Sequence, residues 1–202
     1  MIKFLAILNL AQLILCQHQQ KPLPSPSFGR IFNNSIKTRH FGNGLSACTN
    51  PASFGFIKRA GTTKYYSIAD IQMNWIDGEN YCQSFGAHLP VAVSASDTNF
   101  FRWFVGGKFM IPSYEQNGGY HVQHWSGYWL GFYKSLESNS WKWIDDSPLT
   151  YVVWDTTWLR PQPQGGIQYF AFDFYDIIQK KHRGWHDTFM LLFNLVICEL
   201  KC

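Results

Sequence analysis

The sequence predicts an α+β fold, with two helices packed on short antiparallel sheets and one long irregular loop. Three observations predict it. From residue 48 onward the patterns run strand, helix, helix, long loop, then several short strands, so the helices come early and the sheet late. Aromatic residues make up 18% of the 202 residues, nine of them Trp, which suits a loop-rich domain with a core of large rings. The stretch from Gly184-Trp185-His186-Asp187 to Cys198-Glu199 reads as a polar turn followed by an apolar run, 188–197, suited to a buried strand. A turn set beside a buried strand is a natural place to present a ligand site, because the strand fixes what the turn displays.

Each element has its own signal. Residues 1–16 carry Lys3 and then an apolar run, 4–15, the pattern of a secretory signal peptide; the run is too short for a membrane span or a signal anchor. The mature protein is therefore expected to be soluble, secreted and extracellular. Residues 17–47 are dominated by Gln, Pro, Ser, Asn and Gly, too little apolar material to bury a core, and read as a mobile tail. Within it Asn33-Asn34-Ser35 is an N-glycosylation sequon, with Asn33 as the acceptor. The domain then covers 48–202.

Lys64-Tyr65-Tyr66-Ser67-Ile68 is rich in strand formers. Trp75, Gly78, Cys82 and Phe85 fall on one face of a helix that Gly86 stops. Ser94-Ala95-Ser96-Asp97 suits an N-cap, and Phe100, Phe101, Trp103 and Phe104 a second helix ended by Gly106-Gly107. Residues 107–125 read as loop. Strands are expected at 128–132 and 141–143 around a turn at 138–140, and again over 167–175, where Tyr169, Ala171 and Asp173 alternate with Phe170, Phe172 and Phe174. Residues 154–166 read as loop, and 176–184 as a polar turn leading back to Trp185.

Charge and motifs exclude several classes. The formal net charge is +4, and Lys3 leaves with the signal. The basic residues are scattered, and their densest cluster, Lys180-Lys181-His182-Arg183, reads as a solvated loop and not as a nucleic-acid stripe. His121-x-x-His124 lies in a Gly-flanked loop without a third metal ligand. Asp145-Asp146 suits a turn ahead of Pro148. No Gly-x-Ser-x-Gly, His-Glu-x-x-His or phosphate-binding Gly loop is present, so no enzymatic chemistry is expected. Export places Cys48, Cys82, Cys198 and Cys202 in an oxidising compartment, which suggests two disulfides; four cysteines allow three pairings.

In combination these residues resemble the C-type lectin-like domain over 48–202. Cys82 stands on the first helix, as the first core cysteine of that family does. Trp129-Leu130-Gly131-Phe132 resembles its Trp-Ile-Gly-Leu strand, and Trp141-x-Trp143-x-Asp145-Asp146 its aromatic-x-Trp-x-Asp-Gly segment. Tyr151-x-x-Trp154 precedes the long loop, Trp185-His186-Asp187 resembles Trp-Asn-Asp, and Val196-Ile197-Cys198-Glu199 the closing Phe-Ile-Cys-Glu. The layout of a leader and one domain is similar to the secreted lectins of insects. The resemblance implies a Cys82–Cys198 disulfide, worth roughly 4–5 kcal/mol in chain entropy, and a Cys48–Cys202 link joining the two ends of the domain.

The departures from the family bear on function. The positions of its second core disulfide hold Tyr169 and Met190, which can pack as a sulfur–aromatic pair. Its sugar-binding members hold calcium with Glu-Pro-Asn or Gln-Pro-Asp, the Asn and Asp of Trp-Asn-Asp and a further loop carboxylate. Here the triplet is Arg160-Pro161-Gln162 or Gln162-Pro163-Gln164, neither with a carboxylate, and the further acid is replaced by Ile167 or Gln168. His186 brings an imidazole where a hard cation wants oxygen, leaving Gln162, Gln164 and Asp187 as weak metal candidates. No cofactor is therefore expected, no tight calcium binding at this locus, and a structural role for Asp187 in the turn. The resemblance implies carbohydrate recognition through Trp158, Arg160, Gln162, Gln164, His186 and Asp187, with Trp158 read as an exposed platform for a sugar. The alternative is a module that binds an extracellular protein and no sugar.

Overall fold

The computed structural model of the chain describes residues 47–106, 125–158, 160–189 and 192–202. The leader, the tail up to residue 46 with Asn33, the pair His121 and His124, and Met190 lie outside the described residues. A short 3-10 turn, Pro51–Phe54, opens the described part. Strands β1 (Ile57–Lys58) and β2 (Lys64–Ile68) follow, then helices α1 (Trp75–Gln83) and α2 (Ala95–Val105). Strands β3 (Trp125–Lys134), β4 (Trp141–Trp143), β5 (Phe170–Asp176), β6 (Lys181–Thr188) and β7 (Ile197–Lys201) complete the order. They form two antiparallel sheets, β1-β2-β7 and β4-β3-β5-β6.

The second helix begins at the cap its sequence predicts, and the first carries a cap of the same kind. The Asn74 side chain accepts from the Asp77 amide at 2.9 Å, and the Ser94 hydroxyl accepts from the Asp97 amide at 3.2 Å, so each first turn has a cap. Helix α1 buries Trp75, Gly78 and Cys82. A Cβ on Gly78 would stand 2.8 Å from a Val196 methyl, so the helix approaches β7 this closely only because the residue is glycine. Cys82 is bonded to Cys198 across 116 residues, and Cys48 to Cys202, so one bond ties helix to sheet and the other ties the two ends.

Helix α2 lays Phe100, Phe101 and Phe104 on Tyr66, at ring distances of 4.9, 5.4 and 6.2 Å. The Tyr66 hydroxyl donates to the fully buried Glu199 at 3.1 Å, and Lys64 pairs with the other Glu199 oxygen at 2.7 Å. A second buried carboxylate ties the same helix to the larger sheet. Asp173, inside β5, takes two hydrogen bonds from Arg102, at 3.0 and 2.7 Å, and lies 2.6 Å from His182 Nδ1.

Several boundaries depart from the sequence reading: β3 runs past the expected 128–132, β5 begins at Phe170, not 167, and two further departures lie closer to the site. The expected strand over 188–197 is divided: Thr188 ends β6, Asn194 and Leu195 make single bridges, and β7 begins at Ile197. The expected turn over 176–184 shrinks, because β6 begins at Lys181 and carries Trp185, His186 and Asp187 inside the strand. Pairing of β6 with β5, from Phe170 opposite Thr188 to Asp176 opposite Lys181, outweighs local polarity in the second case. The basic run is divided by the same pairing. Lys180 and Lys181 are exposed, whereas His182 and Arg183 are half-buried against acids.

Breaking a buried ion pair from one side costs about 3 kcal/mol or more. Arg102→Leu is therefore expected to lower the melting temperature by roughly 6 °C or more for a chain of this size. Thermal unfolding checks this, and an unchanged midpoint contradicts it.

Candidate functional site

The site is built on the outer side of β6. Residues 153–155 run alongside Trp185 as a single parallel bridge: the Trp185 amide donates to Val153 O at 2.6 Å and the Asp155 amide to Trp185 O at 3.0 Å. This approach requires a glycine at 184. Its φ is +135°, and a Cβ there would stand 2.9 Å from both Asp155 N and Val153 O. Trp185 is fully buried among Phe132, Trp143, Tyr151 and Trp154, so the strand that positions the site is anchored in the aromatic core.

The bridge brings Asp155, a residue singled out by no motif, into the centre of the site. Its Oδ1 accepts from the Thr157 amide at 2.8 Å and the Thr157 hydroxyl at 2.7 Å. Its Oδ2 lies 2.9 Å from His186 Nε2 and 3.3 Å from Arg183 Nε. A carboxylate only accepts, so neutral His186 carries its proton on Nε2. Burial lowers the His186 pKa below its ordinary 6.5, against the pull of Asp155 and Asp187. Burial raises the Asp155 carboxyl, but hydrogen bonds from Thr157 and His186 outweigh it and hold the group below its ordinary 3.8.

From Asp155 the chain makes a short excursion, 156–161, closed where the Gln162 amide donates to Asp155 O at 3.0 Å. Trp158 stands on this excursion. It is half-buried, not the freely exposed ring expected, because it makes edge contacts with Phe174 and His186 and carries the Arg183 guanidinium 5.1 Å from its centroid. Arg183 also donates to the Thr157 hydroxyl at 2.7 Å and pairs with Asp176 at 3.3 Å.

Beyond the excursion, Gln162 and Gln164 of the Gln162-Pro163-Gln164 triplet bond to Asp187 of β6. The Gln162 side-chain oxygen accepts from the Asp187 amide at 3.3 Å. The amides of Gln164 and Gly165 each donate to a separate oxygen of Asp187, at 2.7 Å. With its nitrogen turned toward Asp187, the Gln168 side chain donates to Oδ1 at 3.0 Å. Asp187 is 2% exposed, so its carboxylate is engaged from inside the protein. Arg160 and Gln164 are exposed, and Gln162 is buried. The structure thus brings Trp158, Gln162, Gln164, His186 and Asp187 together and adds Asp155, Thr157, Gln168 and Arg183. The signal for Asp155 was its place directly after Trp154; that for Arg183 was the basic run.

The sequence model of the Lectin C-type domain family matches residues 71–200. CD209 antigen-like protein 2 of Macaca mulatta is 27% identical over 135 residues, covering 66% of this chain and 43% of that protein. The chain spans less than half the length of the curated relatives it first matches. The fold is that of the C-type lectin domain of murine dendritic cell inhibitory receptor 2, solved in complex with N-glycan, at a TM-score of 0.55 and 18% identity over 73% of this chain and 97% of that one. It is also that of the herring type II antifreeze protein, at a TM-score of 0.55 and 17% identity over 73% and 97%.

Because the His186 pKa is lowered by folding, the unfolded chain takes up that proton more readily than the native one as pH falls through 6.5. The contribution is present above that pH and is lost below it. The melting temperature is therefore expected to fall from about pH 7.5 to about pH 5, and to fall less in His186→Asn. Equal slopes in the two proteins contradict this.

Proposed function

The chain belongs to the Lectin C-type domain family, and from that premise we propose that it is a secreted carbohydrate-recognition domain that works without calcium. One observation carries the reading: both oxygens of Asp187 accept backbone amides at 2.7 Å. A calcium ion needs about 6–8 oxygens and gains affinity from charged ligands. Asp187 is the one carboxylate in the motif positions, and its lone pairs point at N–H groups. Gln162 Oε1 is turned to the Asp187 amide, and His186 is a nitrogen donor paired with Asp155. Among the described residues no group of three or more His, Cys, Asp or Glu is arranged to hold a metal. The residues do not fit the ion.

Sugar recognition then falls to the protein's own groups. Trp158 retains partial exposure, and an aromatic face packs well on the apolar face of a sugar ring. Arg160 and the Gln164 side chain are exposed for hydroxyls. Export is supported by the leader pattern, by the two disulfides, and by the family; no described helix is long and apolar enough to cross a membrane. The same fold serves in an antifreeze protein, so the site carries the assignment and the fold does not.

A glycan array read with and without chelator tests the proposal. Sugar binding indifferent to chelator is expected. Binding abolished by chelator overturns the calcium-free reading, and no sugar binding, with a protein partner captured instead, overturns the carbohydrate reading. Asp187→Ala removes charged acceptors of two amides and is expected to cost about 3 kcal/mol of stability, with the same loss whether or not calcium is present.

A further inference from the structure

The charges around the loop are sorted by depth. Residues 151–189 contain four carboxylates, Asp155, Asp173, Asp176 and Asp187, and all four are buried, at 1%, 0%, 7% and 2% exposure. Each is hydrogen-bonded: Asp155 to Thr157 and His186, Asp173 to Arg102, Asp176 to the amides of Ile178 and Gln179, and Asp187 to those of Gln164 and Gly165. The exposed charges of the same stretch are all positive: Arg160, Lys180 and Lys181. None of these three is in an ion pair among the described residues, whose salt bridges use Arg59, Lys64, Arg102, His182, Arg183, His186 and Lys201. The exposed carboxylates of the described residues, Asp70, Asp77, Glu137 and Asp146, all stand earlier in the chain.

The segments that carry the three cations are joined through Arg183. Arg183 holds the excursion to β6 through Thr157 at 2.7 Å and the Trp158 ring at 5.1 Å. Arg160 stands three residues past Thr157, at most about 11 Å away along the chain. Lys181 opens β6 two residues before Arg183, about 7 Å along the strand, and Lys180 is the turn residue before it, at φ +52°. Arg183 itself is neutralised by Asp155 and Asp176, so it aligns the platform while the exposed three supply the field.

We propose that this surface binds an acidic saccharide, one bearing sulfate or carboxylate groups, through Arg160, Lys180 and Lys181 beside Trp158. Guanidinium and ammonium groups pair directly with such anions by charge-assisted hydrogen bonds, so no metal need bridge them. The inference rests on the calcium-free sugar-binding reading and names its ligand class. A saccharide is favoured over nucleic acid because three exposed cations on two short segments are too few for the stripe that a phosphate backbone needs.

The test measures binding of the mature chain, in chelator, to heparin, to neutral mannan and to single-stranded DNA. Heparin binding that weakens as salt rises is expected, with little binding to mannan or DNA. The triple substitution Arg160→Ala, Lys180→Ala, Lys181→Ala is expected to weaken heparin binding at least 10-fold, and Lys58→Ala, an exposed cation on β1, to leave it unchanged. Heparin binding that survives the triple substitution, or falls equally in Lys58→Ala, overturns the inference. So does DNA binding as tight as heparin binding. Mannan bound in chelator with no preference for heparin overturns the inference and leaves the calcium-free sugar reading standing; failure of both polysaccharides sinks both. An unchanged melting temperature in the triple variant separates lost contacts from lost folding.

Discussion

The hydrogen bonds from the Gln164 and Gly165 amides to Asp187 are the constraint on which the site depends. A long loop on a protein surface has many conformations, and ordering it costs roughly 1–2 kcal/mol per residue. A divalent ion can meet that cost by gathering several carboxylates. In this chain one carboxylate, placed by a buried strand, gathers the loop's own amides. Both carboxylate oxygens are thereby engaged by backbone N–H groups. Asp155 does the same on the near side, gathering Thr157, His186 and Arg183.

Both acids are held in place by the aromatic core. Trp185 precedes His186 and Asp187 in β6 and is packed against Phe132, Trp143 and Trp154, so the strand has little freedom to shift. The bridge from Trp154 to Trp185, allowed by Gly184, carries that rigidity to Asp155. On the other side of β5, Asp173 fixes the hairpin to α2 through Arg102. Three buried acids thus join α2, the larger sheet and the loop, while the exposed charge of the loop region is positive.

Much of the fold was legible because its signals are local. The cap at Ser94, the helical spacing of Trp75, Gly78 and Cys82, and the alternation from Phe170 to Phe174 depend on neighbours in sequence. Strand ends were less legible. Lys181 to Gly184 reads as polar turn, yet pairing with β5 makes it strand, whereas Asn194 and Leu195 of the apolar run read as strand and make single bridges. In the site, Gln162, Gln164, His186 and Asp187 followed from the family resemblance. Asp155 and Arg183 did not, because their partners lie 31 and 28 residues away at His186 and Asp155, respectively. Trp158 was expected on the surface, and its burial depends on Arg183 and Phe174, which no spacing rule connects to it.

Hydrogen exchange at the Gln164 and Gly165 amides, followed by NMR with and without calcium, tests most directly whether the polypeptide alone holds its loop. Slow exchange at both amides, unchanged on adding calcium, is the predicted result. Fast exchange in chelator that becomes slow when calcium is added would contradict the account.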